Sequence, residues 1–258
     1  MAYLHSSPTA SDPGLGWSTQ LRRSTPAVTV RGRVIVAPRT VTVGAEGHEV
    51  ITRMAFGGGT ISFTVGGGPG SHVLSATDQA DIILGNRSVD LGTHDGDDSG
   101  AGVTAVLNPG EQRRHALRSV LGQTQAAALA DIRSEFVRQH AATLAETDPR
   151  RRMRRIGVTL HLIQDAYSPA HVDRDPGSGN CIRYIRNYGR GSSPAEHGTP
   201  TDSRDSVSSP AAIPAVAAAA SASRGYLQIV LKALRGGTAA VEAAGELPTF
   251  MATHFRAC

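Results

Sequence analysis

The segment LHLIQDAYSPAHVDRD, residues 160–175, carries the pattern in this chain best suited to chemistry. His161 and Asp165 stand four residues apart, so on a helix they share one face, one turn from each other. Leu160, Leu162 and Ile163 surround them with apolar side chains, which places the pair in a segment that should be buried. A buried carboxylate needs a compensating partner. A His161–Asp165 hydrogen bond at a capped helix end would supply one. A shared zinc ion, which takes imidazole nitrogen and carboxylate oxygen at about 2 Å, would satisfy both groups together. Ser168-Pro169 stops the helix and turns the chain, and His171 follows at once. The full spacing is H-x3-D-x5-H, and the third donor favours the metal reading.

H-x3-D, then Pro, then His at this spacing resembles the core signature of the zinc-dependent phospholipase C and single-strand nuclease superfamily. The resemblance spans residues 45–205 and is most specific at 160–171. It implies an all-α, multi-helix bundle around a cluster of two or three zinc ions, with a small β-ribbon or irregular N-terminal segment. Asp165 takes the position that bridges two ions. GHEVITRMA, from Gly47, resembles the family's entry into its first core helix, which makes His48 a ligand. The family next places an Asp and a His before its long helices. Asp90 with His115 and Asp81 with His94 both offer this, and the interval from His115 to His161 matches two helical arms better than that from His94.

Carried over residue by residue, the resemblance gives His115, His161 and Asp165 to a first ion. It gives His171, His197 and Asp202 to a second, and His48 with Asp165 to a third. Asp90 and Asp165 become the catalytic carboxylates, with Asp90 orienting a water or taking its proton. His197 and Asp202 depart from the family's helical spacing by one residue, with Pro200 between them, so that last pair is loop-borne or Asp205 replaces Asp202. Cleavage before Trp17 would create the free amino terminus that some family members use as a ligand.

The implied activity is hydrolysis of a phosphoester, first as a phospholipase C-like phosphodiesterase and alternatively as a single-strand nuclease. The substrate is then a phospholipid or a nucleic acid. A lipid enzyme would make a peripheral membrane contact through apolar residues at the cleft mouth, for which Ile182, Tyr184, Ile185 and Tyr188 are candidates. A third reading is a helical binding domain that keeps metal for stability without turnover. The family is largely exported, yet the first twenty residues lack a charged start followed by an apolar run, so no secretory leader is expected.

These donors need helices to hold them. Residues 1–44 read as an N-terminal arm, with alternating Val over 27–43 predicting a hairpin, and 45–258 as the helical zinc-hydrolase domain. Helical spacing begins at Gly47. ISFTV between two glycine clusters reads as a short strand. Residues 75–85 read as a helix capped by Ser75 with Asp78. The Gly- and Asp-rich stretch 92–110 reads as loop. Residues 110–146 read as one long helix, and 149–167 as a second that starts on Pro149. Residues 173–210 read as irregular, the Ala-rich 211–235 as a helix, and 238–245 as a last short one.

Bulk properties narrow the field further. The chain has 258 residues, enough for one large core. Its formal charge of +4 suits a phosphate-bearing substrate but does not by itself indicate a nucleic-acid binder. The basic run Arg150–Arg155 reads as a solvated helix start. Cys181 and Cys258 make no disulfide framework, and a single bridge or a free pair are both compatible with the sequence. No apolar stretch is long enough for a transmembrane helix. There is no P-loop, dinucleotide fingerprint or nucleophile elbow. His5, His72 and His254 read as terminal or loop residues, and His140 as solvent-facing on its helix.

Overall fold

The computed structural model describes residues 22–23, 27–30, 33–36, 41–42, 47–91, 112–119, 122–178, 180–187 and 213–258. Among these the architecture is predominantly helical. Two strand pairs lie in the N-terminal arm, where β1 (Arg22–Arg23) pairs with β4 (Val41–Thr42) and β2 (Ala27–Val30) with β3 (Arg33–Val36), both antiparallel. The expected hairpin over 27–43 is therefore present.

Six helices follow: α1 (Gly47–Phe56), α2 (Ala76–Leu91), α3 (Gln125–Ala145), α4 (Pro149–Asp165), α5 (Ile213–Ala233) and α6 (Gly237–His254). The β5–β6 hairpin (Thr60–Val65, Gly68–Val73) joins α1 to α2, and β7–β8 (Val172–Asp175, Cys181–Ile185) follows α4. None of the described helices is long and apolar enough to cross a membrane.

Local chemistry explains most helix starts. Ser75 and Asp78 form a reciprocal capping box, with Asp78 N donating to Ser75 Oγ at 3.1 Å and Ser75 N donating to Asp78 Oδ2 at 2.9 Å. Thr124 caps α3, and Asp148 caps α4 just before Pro149 at its first turn. The apolar stripes of α1, α3, α4, α5 and α6 meet in one core. Ile51, Ile132, Phe136, Ile156, Leu160, Tyr226 and Leu227 are fully buried there.

The crossing of α2 and α4 needs two glycines. A Cβ on Gly85 would fall 1.9 Å from the Arg154 carbonyl oxygen, and one on Gly157 would fall 2.0 Å from that of Ile82. The two backbones touch, and only hydrogen side chains permit it. Gly85 is thus a crossing point rather than the helix end that its residue type suggested. The helix continues to Leu91 and carries Asp90 on its last turn.

Several other expectations need correction. The long helix begins at Gln125 rather than 110, because Gly122 (φ +90°) breaks the chain, and His115 sits in a separate 3-10 turn, Arg113–His115. Val172–Asp175 and Cys181–Ile185 pair as antiparallel strands where irregular chain was expected. The last helix reaches His254 and runs through Pro248, a residue costly inside a helix. Phe250 and Phe255 beyond it are held against Phe136 in a buried aromatic cluster. His140 is buried, not solvent-facing, and hydrogen-bonds Tyr226 Oη at 3.2 Å. His254 is packed, with Nδ1 2.6 Å from Tyr167 Oη, and burial pushes its pKa down to about 4, assisted by Arg174. The basic run is engaged as well: Arg150 and Arg154 hold Asp81, and Arg155 pairs with Glu146.

Cys181 and Cys258 form a disulfide that fastens the C-terminus to β8. Ile182 N also donates to Arg256 O at 2.7 Å, and Cys258 N to Ile182 O at 3.1 Å. The bridge closes a loop with a sequence separation of 77, so the chain-entropy model gives it about 4 kcal/mol. The C181S/C258S double variant should melt on the order of 10 °C lower than the oxidised protein. An unchanged calorimetric midpoint would show that the bridge contributes nothing to stability.

Gly157→Ala is expected to force α2 and α4 apart and cost about 2 kcal/mol. An unchanged thermal midpoint would contradict the close contact of the two helices.

Candidate metal centre

Four separate pieces of chain converge on Asp165. His48 comes from the first turn of α1 and Asp90 from the last turn of α2. His115 comes from the 3-10 turn, and His161 with Asp165 from the last turns of α4. His48, His115, His161 and Asp165 are all buried. The His115 turn ends on Ala116, a non-glycine residue at φ 51°, ψ 35°. That left-handed conformation costs roughly 1–2 kcal/mol. It reverses the chain immediately after His115.

The two carboxylate oxygens of Asp165 face different imidazoles. Oδ2 lies 2.9 Å from His161 Nε2 and 3.1 Å from His115 Nδ1, and those two nitrogens are 3.2 Å apart. Asp90 Oδ1 stands 3.5 Å from His161 Nε2 and 3.8 Å from His115 Nδ1. On the other side, Asp165 Oδ1 lies 3.1 Å from His48 Nε2. The His48 ring stacks on His161 with centroids 4.1 Å apart, and His115 meets His161 edge-on at 5.0 Å.

This donor set fits a metal ion. Zinc–ligand bonds of about 2.0–2.1 Å in a tetrahedron put the donor atoms about 3.3 Å from one another. The separations of His115 Nδ1 and His161 Nε2 from each other, from Asp165 Oδ2 and from Asp90 Oδ1 run from 2.9 to 3.8 Å. Two overlapping groups could hold an ion: His48, His161 and Asp165 in one, Asp90, His115 and His161 in the other.

Electrostatics agree with the geometry. Burial alone would raise the Asp165 carboxyl, but the surrounding imidazoles at 171, 161 and 48 bring it well below its usual range. Asp90 is lowered against its own burial by His161, His48 and His115. Burial pushes His161 down, whereas His48, also disfavoured by burial, is carried up to about 9 by Asp165. The buried carboxylate thus favours positive charge at His48. A divalent cation would supply that charge more completely, displacing the proton on binding.

The orientation of His48 is set from behind. Its Nδ1–H donates to Gln164 Oε1 at 2.8 Å. Gln164 Nε2 donates to Thr52 Oγ1 at 2.9 Å and reaches Ser223 Oγ at 3.4 Å, while Asn86 Nδ2 donates to Gln164 Oε1 at 3.2 Å. With its proton on Nδ1, neutral His48 turns the Nε2 lone pair toward Asp165 Oδ1. A lone pair against a carboxylate is repulsive unless a proton or a metal cation lies between them. His171 is fixed in a similar way, its Nδ1–H donating to His115 O at 2.6 Å, which puts the lone pair of the neutral ring on Nε2.

Of the residues the sequence nominated, the structure brings His48, Asp90, His115, His161 and Asp165 together. His171 lies beside them, its Nδ1 3.6 Å from Asp165 Oδ2. His197, Asp202, Asp205, His94 and Trp17 lie outside the described residues. Asp81 belongs to the Arg150–Arg154 ion pairs rather than to this cluster, so the Asp90–His115 pairing is the one assembled here. Ile182 and Ile185 are buried in the core and do not rim a cleft, because the hairpin turns them inward. Gln164, Asn86, Thr52 and Ser223 escaped the sequence reading, since neutral polar residues on helices carry no distinctive spacing. The one hint was Gln164 standing next to Asp165 in an otherwise apolar run.

A groove of about 680 Å³ between β5–β6 and α5, lined by Thr60, Ser62, Phe63, Gln228 and Arg235 among others, contains none of these donors. No family model matches this chain, and neither does any curated protein or solved structure.

Replacing Gln164 by Leu removes the acceptor for His48 Nδ1–H. If this cluster holds a divalent cation, the affinity for it, measured by competition with a chromogenic chelator, should fall at least ~10-fold. Unchanged affinity in a folded Q164L protein would refute the positioning role.

Proposed function

We propose that the chain is a zinc-dependent phosphoester hydrolase whose ions are held by His48, Asp90, His115, His161 and Asp165, with His171 beside them. The single observation that supports this most is the division of the Asp165 carboxylate between His48 on one oxygen and the His115–His161 pair on the other. That is the arrangement a bridging ligand between two cations requires. The donors are imidazole and carboxylate without thiolate, a mixture suited to zinc. The resemblance of H-x3-D-x5-H to the phospholipase C and single-strand nuclease superfamily points to the same chemistry.

When bound, zinc supplies Lewis acidity, which acidifies water and neutralises the charge that builds on phosphoryl oxygens in the transition state. The chain's own residues supply the rest. Asp165 fixes the spacing of the two donor groups. Asp90, at the end of α2, is the carboxylate placed to orient a water and accept its proton as it attacks phosphorus. Gln164 holds His48 in the tautomer that presents Nε2. The apolar faces of α4 and α5 surround the donors with a low dielectric, which strengthens each of these interactions.

The substrate reading has two branches. A phospholipase C-like phosphodiesterase needs apolar residues at its mouth, and the burial of Ile182 and Ile185 removes two of the candidates. The second branch is a single-strand nuclease.

Purified protein should hydrolyse bis(p-nitrophenyl) phosphate, lose the activity to a chelator and recover it with zinc. Choline phospholipid and single-stranded DNA, run in parallel, separate the branches. Asp165→Asn should lose bound zinc and at least ~100-fold in rate. Full zinc loading with no turnover on any of the three substrates would replace this reading with that of a metal-stabilised binding domain.

A further inference from the structure

The groove of about 680 Å³ between the β5–β6 hairpin and α5 shares no residue with the metal centre. Its size is that of a small-molecule site. Its walls are pinned. Gln228 Nε2 donates to Ser62 O at 2.8 Å and Arg224 Nη2 to Thr60 O at 3.2 Å, which fastens the outer edge of β5 to α5. At the hairpin turn, Gly66 N donates to Glu242 Oε1 at 2.7 Å and ties the same hairpin to α6. Gly70 keeps the groove open. It stands opposite Phe63 in the hairpin, and a Cβ there would fall 2.8 Å from the Phe63 ring and 3.0 Å from Arg235 Nη1. A side chain at this position would have to push the ring or the guanidinium aside.

Arg235, just past the end of α5, has no structural role to account for it. Its guanidinium lies 5.9 Å from the centroid of the Phe63 ring. It is exposed. Among the described residues from Gly47 onward it is the one arginine whose side chain has neither an ion pair nor a hydrogen bond. Even Arg183, with 64% of its side chain exposed, closes on Asp175. The two acids of the neighbouring α6, Glu242 and Glu246, each meet Lys232 Nζ at 2.8 Å instead. A planar fork of five donors is thus left open beside an aromatic ring.

We propose that this groove binds a sugar carrying a carboxylate, with the carboxylate on the Arg235 fork and the C–H face of the sugar against Phe63. The charge count selects the anion. One unpaired guanidinium matches one negative charge, and its fork matches a carboxylate through two parallel hydrogen bonds. A phosphate monoester would bring nearly two charges to a place where Lys232 is already spent. Sugar hydroxyls both donate and accept, which suits the Ser62 and Thr64 hydroxyls and Gln228 Oε1, none of which bonds another described residue. Strand alternation puts those hydroxyls on one face of β5 and the Phe63 ring on the other, so the ligand meets them across the strand edge. An extended peptide fits less well. The Arg224 and Gln228 side chains already occupy the position on β5 that an added strand would take. The site does not depend on the hydrolase reading.

The test is calorimetric titration of the full-length chain with methyl β-glucuronide, methyl β-glucoside, acetate and inorganic phosphate. The glucuronide should bind at least ~10-fold tighter than the neutral glucoside, as one charge-assisted pair provides. R235Q should bring that ratio below about twofold, at an unchanged thermal midpoint, because the side chain it alters is exposed and unpaired. R235K, which keeps the charge but not the fork, should give an intermediate ratio. Equal binding of the two sugars by the wild type would overturn the proposal. So would a preference for the glucuronide retained in folded R235Q, or one lost in D165N, which would place the carboxylate at the metal centre. Acetate or phosphate binding as tightly as the glucuronide would reduce the groove to a simple anion site and overturn the assignment of a sugar.

Discussion

The structure depends on one buried carboxylate. Asp165 lies where water cannot solvate it, and its two oxygens are aimed at imidazoles carried by three different segments of chain. An uncompensated charge in such a place is strongly unfavourable, and bare imidazole lone pairs cannot compensate it. Either protons or cations must enter. Asp165 carries His48 up to about 9 against its own burial, so this pocket favours positive charge. Convergence of five donors at separations near the edge of a zinc tetrahedron is what a cation-binding response requires.

The rest of the fold can be understood as what holds those donors still. Gly85 and Gly157 let α2 and α4 meet backbone to backbone, which brings Asp90 to His161. Ala116 accepts a strained conformation that reverses the chain just past His115. Arg118 N donates to Arg186 O, and Arg186 N to His171 O, so the His115 segment and the His171 corner are fastened to the end of β8. The disulfide fastens the other end of that strand to the C-terminus. Glu49, one residue after His48, pairs with Arg87, one turn before Asp90, and locks α1 to α2 beside the centre. Gly157, Ala116, Glu49 and Arg87 each lie one to four residues from a donor, close enough that small shifts there would move the ligand geometry.

Much of the helical scaffold was legible in the sequence because caps and apolar periodicity are local signals. Ser75 with Asp78 and Asp148 with Pro149 mark helix starts in the structure as they do in the sequence. His161 and Asp165 were legible as a pair because four residues is one turn. What the sequence hid was non-local. Gly85 looks like a stop, and only the approach of α4 shows that it is a crossing. Pro248 looks like a terminator, yet Phe250 and Phe255 are held in the core strongly enough to carry the helix past it. His140 sits among polar helix formers and gives no sign of the Tyr226 hydroxyl that receives it. Gln164 acts through partners tens of residues away, so nothing in its immediate neighbourhood announces a role.

The central claim is that the Asp165 carboxylate lies between metal ions, and diffraction from zinc-grown crystals on both sides of the zinc absorption edge tests it most directly. The account predicts anomalous peaks on both sides of that carboxylate, one within bonding distance of His115 Nδ1 and His161 Nε2 and one within bonding distance of His48 Nε2. A fully folded, zinc-saturated crystal with no anomalous density among these five side chains would contradict it.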